Sequence, residues 1–278
     1  MRRITAVSAT ALGIALIVAG SAVGRTQATT IKLGAVLNAA QEVPAPTGDV
    51  SAARGTFTAT ASATADGASL AWQLSFSGLT GPAAAAHVHL GERGQAGGVV
   101  VPLCGPCESP ASGTANVDTN VLTAMQTGGA YANVHTPANR AGEIRGQVDV
   151  VATVTTALTA RQEVPKPKGN VRRARATFTA SITTSGATGK MGWRLTFSGL
   201  TGRAVAAHVH IGRRGTPGPV AVSLCGPCRS GMRRSVGLGA AVLTALEQGR
   251  AYVNVHTARN QAGEVRGQIA AVPLRITG

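Results

Sequence analysis

The chain is poor in several of the materials that common functional classes require. Aromatic residues make up 3% of 278 residues, as two Trp, two Tyr and four Phe, and none interleaves with the basic runs. The stacking platforms of a single-strand nucleic-acid binder are therefore missing, and nucleic acid is not the expected partner. No GxSxG elbow occurs, and all six histidines fall in one repeated pattern, so a Ser/His/Asp hydrolase cannot be assembled. The Gly-rich stretches GPAAAAH, GERGQAGG and GRRGTPG follow neither a Walker nor a dinucleotide pattern and read as loops. QEVP, present twice, reads as a structural turn. Past the N-terminus no apolar run reaches the roughly 20 residues that a bilayer span needs.

The N-terminus is different. Arg2 and Arg3 precede an apolar stretch and then small residues up to Ala28, which is the form of a secretory signal peptide over residues 1–28. An uncleaved anchor is the alternative. The expected location is secreted, periplasmic or in the cell envelope. The four cysteines form two CGPC pairs, Cys104 with Cys107 and Cys225 with Cys228. In an exported chain each pair reads as a disulfide staple; a thioredoxin-like redox pair or a soft metal site are the other readings, the first lacking its βαβ context and the second further thiols.

What is abundant is repetition. An ungapped offset of 121 residues carries Trp72 onto Trp193, FSGLTG onto FSGLTG, LCGPC onto LCGPC, and YANVHTPANRAGEIRGQ onto YVNVHTARNQAGEVRGQ. Two homologous domains are expected, 31–150 and 152–278, with a short connection near VVATVTTA. Charge separates them: residues 29–150 hold five Lys or Arg against eight Asp or Glu, net −3, and residues 151–278 hold eighteen against three, net +15. A basic second domain implies attraction to anionic envelope polymers or steering of a small anionic substrate.

Stretches such as GTFTATASAT, SLAWQLSFSGL, AAAHVHL, GVVVPL and EIRGQVDVV alternate apolar with small or polar residues between Gly, Pro and Asp. That predicts an all-β fold of two tandem Greek-key sandwiches or flattened barrels, with seven or eight strands each. One short helix per copy is expected at DTNVLTAMQTGG, capped by Asp118 or Thr119, and at GLGAAVLTALEQG.

The strand period puts His87 and His89 on one face while Ala86, Val88 and Leu90 take the other. Two imidazoles so placed can reach one ion, and His135 from YANVHT makes a third nitrogen; His208, His210 and His256 repeat the set. Three nitrogens suit copper or zinc and leave a coordination position open. Arg145 and Arg266 share polar strand faces nearby, where they either face an anion or pair across strands with Glu143 and Glu264.

On AAHVHLGERGQAGGVVVPL followed by YANVHTPANRAGEIRGQ, the chain resembles the CHRD domain, known from chordin and from secreted bacterial proteins, over nearly all of both copies. The resemblance implies an extracellular β-domain. More distantly, the chain resembles copper-containing superoxide dismutases, Greek-key barrels that hold copper through a His–X–His strand pair with an arginine guiding superoxide. That resemblance implies copper at His87, His89 and His135 with Arg145 at the substrate position, and at His208, His210 and His256 with Arg266. It departs in lacking the zinc residues and one copper histidine, and in the placement of its cysteines. Three readings follow: a copper-only dismutase, a non-catalytic copper- or zinc-binding module, and an adhesion or ligand-binding domain with structural histidines.

Overall fold

Alternation decides the elements. In RGTFTATASAT the side chains of Phe57, Ala59 and Ala61 are buried and the threonines between them face outward, and the same period runs through both copies. The computed structural model describes residues 30–275; the expected leader over 1–28 lies outside the described residues. The first copy comprises β1 (Thr30–Asn38), β2 (Arg54–Thr64), β3 (Gly67–Ser77), β4 (Ala85–Leu90), β5 (Val99–Cys104), β6 (Ala111–Asp118), α1 (Thr119–Thr127), β7 (Ala130–His135) and β8 (Ile144–Gln147). The second comprises β9 (Asp149–Thr159), β10 (Arg175–Ser185), β11 (Thr188–Ser198), β12 (Ala204–Ile211), β13 (Val220–Cys225), β14 (Met232–Leu238), α2 (Ala240–Glu247), β15 (Ala251–Thr257) and β16 (Val265–Gln268).

In each copy two antiparallel sheets share a corner strand. β1 pairs along its length with β2, continuing to β3 and β6, and at Asn38 it also pairs with Arg145 of β8, leading to β7, β4 and β5. β9 plays the same part for β10, β11 and β14 on one side and β16, β15, β12 and β13 on the other. The chain leaves β3 for β4 and β6 for β7 by crossing between sheets, which is the Greek-key arrangement of a flattened barrel. The predicted all-β sandwich with one helix per copy is what the chain forms. Asp118 caps α1, its carboxylate accepting from the Val121 N–H at 2.8 Å; α2 begins after Gly239 with no side-chain cap.

The expected connection near VVATVTTA does not exist as a linker. These residues lie inside β9, alternately buried and outward, because Val150, Ala152, Val154 and Leu158 supply core to both copies. The segment EIRGQVDVV, expected as one strand, divides at Val148, whose N–H bonds the Ala130 carbonyl at 2.9 Å. The chain then crosses to the edge of β1, setting Asp149, Val150 and Val151 opposite Gly34, Leu33 and Lys32. The cysteines are two disulfides, Cys104–Cys107 and Cys225–Cys228, as the staple reading expected. Among the described residues no helix is long and apolar enough to cross a membrane.

Candidate metal centre

The histidines come together on the sheet formed by β5, β4, β7, β8 and the end of β1. His87 of β4 stands opposite Asn133 of β7, His89 opposite Tyr131, and Ala85 opposite His135, so three rings share one face over two adjacent strands. His87 Nδ1 and His135 Nε2 are 3.1 Å apart. One ligating nitrogen from each of His87, His89 and His135 lies within 4.8 Å of the other two, and the same holds for His208, His210 and His256. In the second copy His208 Nδ1 and His256 Nε2 are likewise 3.1 Å apart.

The remaining nitrogens are held by the backbone. His89 Nδ1 donates to the Gly97 carbonyl at 2.9 Å and His135 Nδ1 to the Arg140 carbonyl at 3.0 Å. Carbonyl oxygen can only accept, so both rings carry the proton on Nδ1 and present a lone pair at Nε2. In the second copy His210 and His256 do the same with the carbonyls of Gly218 and Gln261, at 2.9 and 2.8 Å. His89 Nε2 and His210 Nε2 are buried without any hydrogen-bond partner. A buried acceptor left unpaired costs on the order of 1–3 kcal/mol, and an ion placed among the three nitrogens removes that cost.

Protonation works the same way. Burial first, then the charges of the neighbouring rings, pull the His87 and His208 imidazoles below their ordinary value. Burial also lowers His135, His210 and His256, outweighing their hydrogen bonds to carbonyls. Neutral rings are the state in which imidazole binds a metal. Each triad could therefore hold a metal ion, for which bonds to imidazole nitrogen are about 2.0–2.1 Å long. The donor set leaves the metal's identity open.

Beneath the rings sits a support. The Tyr131 ring stacks on His89 with centroids 5.0 Å apart and carries the Arg145 guanidinium 3.4 Å from its centroid. Its hydroxyl accepts from the Gly97 N–H at 3.1 Å. Arg145 is 1% exposed and donates to the carbonyls of Glu92 and Gln95, both at 2.8 Å. Gln147 reaches the Gly91 carbonyl. The strand face that carries the histidines thus grips the loop of residues 91–97, and that loop orients His89. In the second copy Tyr252, Arg266 and Gln268 grip residues 212–218 in the same way.

The alternative ion pair of Arg145 with Glu143 does not form. Glu143 accepts from the Thr80 N–H and from the Thr80, Thr136 and Asn139 side chains, and Glu264 accepts from Thr201, Thr257 and Asn260. Burial raises these carboxyls, but the hydrogen bonds together hold them below the ordinary value. Both arginines lie behind a tyrosine, covered by loop backbone, where strand alternation alone suggested a polar surface.

Sequence reasoning missed Tyr131, Tyr252, Gln147 and Gln268. For the tyrosines the signal was present: they are the chain's only two, each four residues before a triad histidine, and they share a sheet face with it. Glu42 and Glu163, in the twice-present QEVP, were likewise read as turn residues. They are 5% and 3% exposed, beside Asn133 and Asn254 of the histidine strands.

The family model described as the CHRD domain matches residues 33–148 and again 154–269. The chain belongs to the CHRD family. No curated protein and no solved structure matches it. Each CHRD domain carries one triad, and the matched spans hold all six histidines together with the tyrosines and arginines that support them.

Proposed function

We propose that this is an exported copper-binding protein with one three-histidine centre in each CHRD domain, and that the centre disproportionates superoxide. The observation that carries the reading is the pairing of convergent nitrogens with an unpartnered buried Nε2, made twice in one chain. Export is supported by the leader pattern of residues 1–28 and by the two disulfides.

In this reading His87, His89 and His135, with His208, His210 and His256, are the ligands. Copper held there would supply a one-electron couple, so that two superoxide ions and two protons become O2 and H2O2. The carbonyls of Gly97 and Arg140 fix the ligand tautomers, as outer partners of metal-bound histidines do. Partial solvent access at His87 and His135 leaves a way in for a small anion. Arg145 and Arg266 place a fixed positive charge behind Tyr131 and Tyr252, so they attract the anion through their field and do not touch it. That same covering favours a second reading, a copper- or zinc-holding module without turnover, because Arg145 and Arg266 are each only 1% exposed and cannot meet an incoming anion.

The deciding measurement is metal content of the mature protein after copper or zinc loading, followed by superoxide disproportionation. The expected result is one copper per triad, with His87→Ala and His208→Ala each losing one, and catalysis lost when both are changed. Copper bound without turnover selects the second reading. No bound metal in the wild type sinks both and leaves a β-module whose histidines serve the fold.

A further inference from the structure

The second domain carries a cationic surface that the first lacks, although both have the same shape there. On the outward face of β9, β10, β11 and β14, Thr155 stands opposite Thr179, Thr179 opposite Arg194, and Arg194 opposite Arg233. These residues line a shallow groove of about 760 Å3. Arg175, four residues before Thr179 on the same face, stands opposite Thr159 and opens onto a second groove of about 830 Å3 with Arg161, Lys166, Arg172 and Arg173. The two rows lie about 13 Å apart at the rise of a β-strand. All of these cations are exposed.

Nothing within the domain neutralises them. Its three acidic residues are engaged elsewhere: Glu163 and Glu264 are buried at 3% and 0% exposure, and Glu247 pairs with Arg275 at 2.9 Å. That is the only salt bridge among the described residues. Arg194 and Arg233 are like charges directly opposed across two strands, an arrangement that destabilises a sheet. The first domain has the corresponding groove, about 740 Å3, lined by Gln73 and Ser112 where the second has Arg194 and Arg233. Ala40, Ala45, Ser51 and Ala52 stand where the second has Arg161, Lys166, Arg172 and Arg173. The fold therefore does not need this charge.

We infer that this face binds an acidic polysaccharide, a polymer bearing carboxylates and hydroxyls on successive sugars. Guanidinium groups match carboxylates as paired donors. The hydroxyls of Thr155, Thr179, Ser181 and Ser235 line the same groove and meet sugar hydroxyls. The face offers no ring to stacked bases, since Trp193 is 3% exposed. This site goes beyond the metal centre and does not depend on it.

The test is fluorescence anisotropy of a labelled alginate oligosaccharide titrated with the mature protein at several salt concentrations. The comparison is the variant Arg172→Ser, Arg173→Ala, Arg194→Gln and Arg233→Ser, which gives the second domain the first domain's residues. Those residues already sit in the same fold, and the unfolding temperature checks that the variant is intact. The wild type is expected to bind with affinity that falls as salt rises, and the variant to lose roughly tenfold or more with a shallower salt dependence. Absence of wild-type binding, equal affinity in the variant, or tighter binding of duplex DNA or polyphosphate than of alginate would each overturn the assignment.

Discussion

Two carboxyls per domain lie buried near the metal centre, and their surroundings push them in opposite directions. Glu143 sits among four donors and is held low; Glu42 has mainly the Val43 N–H, and burial pushes it up from 4.5 to about 7 against the charge of Arg145 and the Asn133 amide. Glu163 is likewise raised to about 7. Their Oε2 atoms have no partner, and neither do Asn133 Oδ1 and Asn254 Oδ1, so a proton on the carboxyl adds a donor where acceptors crowd. The sign follows from linkage. A carboxyl whose folded pKa exceeds its unfolded value binds more protons in the native state, so stability falls as pH rises from about 4.5 to 7 and is level above. The lowered histidines act oppositely, costing stability as pH falls through and below 6.5. Urea unfolding of metal-free Glu42→Gln and Glu163→Gln across this window should therefore show each variant gaining on the wild type as pH rises. The gain should reach at most about 3 kcal/mol per site above pH 7. A wild-type minus variant difference that does not change with pH would show that these carboxyls titrate in the folded protein as they do in the unfolded chain.

At the scale of elements, the unit that orients His89 is a loop bound to a strand face. Gly97 lies so close to Leu90 that a Cβ on it would fall 1.6 Å from the Leu90 carbonyl oxygen, so residues 91–97 can close over Tyr131 only with glycine there. Removing the clamp by Arg145→Ala leaves the Glu92 and Gln95 carbonyls unpaired. It should destabilise the chain by about 2–3 kcal/mol and weaken copper at the first site about 10- to 100-fold, as expected when the support of a ligand's outer partner is lost. The second site should be unaffected, so competition with a chromophoric chelator would resolve one weakened and one intact centre. Equal loss at both sites would mean that Arg145 serves the whole fold and not its own loop. This clamp marks how far the sequence could be read. Strand period in AAHVHL and YANVHT put the three histidines on a common face, and Asp118 announced α1, because those signals are local. That Arg145 is covered was not legible, because the cover comes from a loop some 50 residues earlier, and alternation of apolar with polar residues looks the same whether the polar side meets water or the chain's own backbone.

For the whole molecule, the decisive feature is that two copies share a strand with no hinge. β9 begins by pairing with β1 of the first copy and continues as the corner strand of the second, and α1 packs against β9 and β10. The buried side chains of both copies form one continuous core. The sequence suggested a boundary at VVATVTTA because the repeat changes over there, and a repeat records homology, not where the chain is free to move. The contact is also tight: at Gly34 a Cβ would stand 3.1 Å from Val151 Cγ2. The two domains should therefore unfold in a single calorimetric transition, even though they differ by eighteen units of net charge. Gly34→Val, which overpacks this contact at a cost of about 1–3 kcal/mol, should shift the whole transition downward. Two resolved transitions, with only the first moved by Gly34→Val, would show instead that the domains fold independently and that β9 merely joins them. Coupling would also mean that metal bound in either domain stabilises both, since whatever binds only the folded state draws on the same unfolding equilibrium. Copper added to His208→Ala, which retains only the first triad, should then raise the unfolding temperature of the entire chain as one transition.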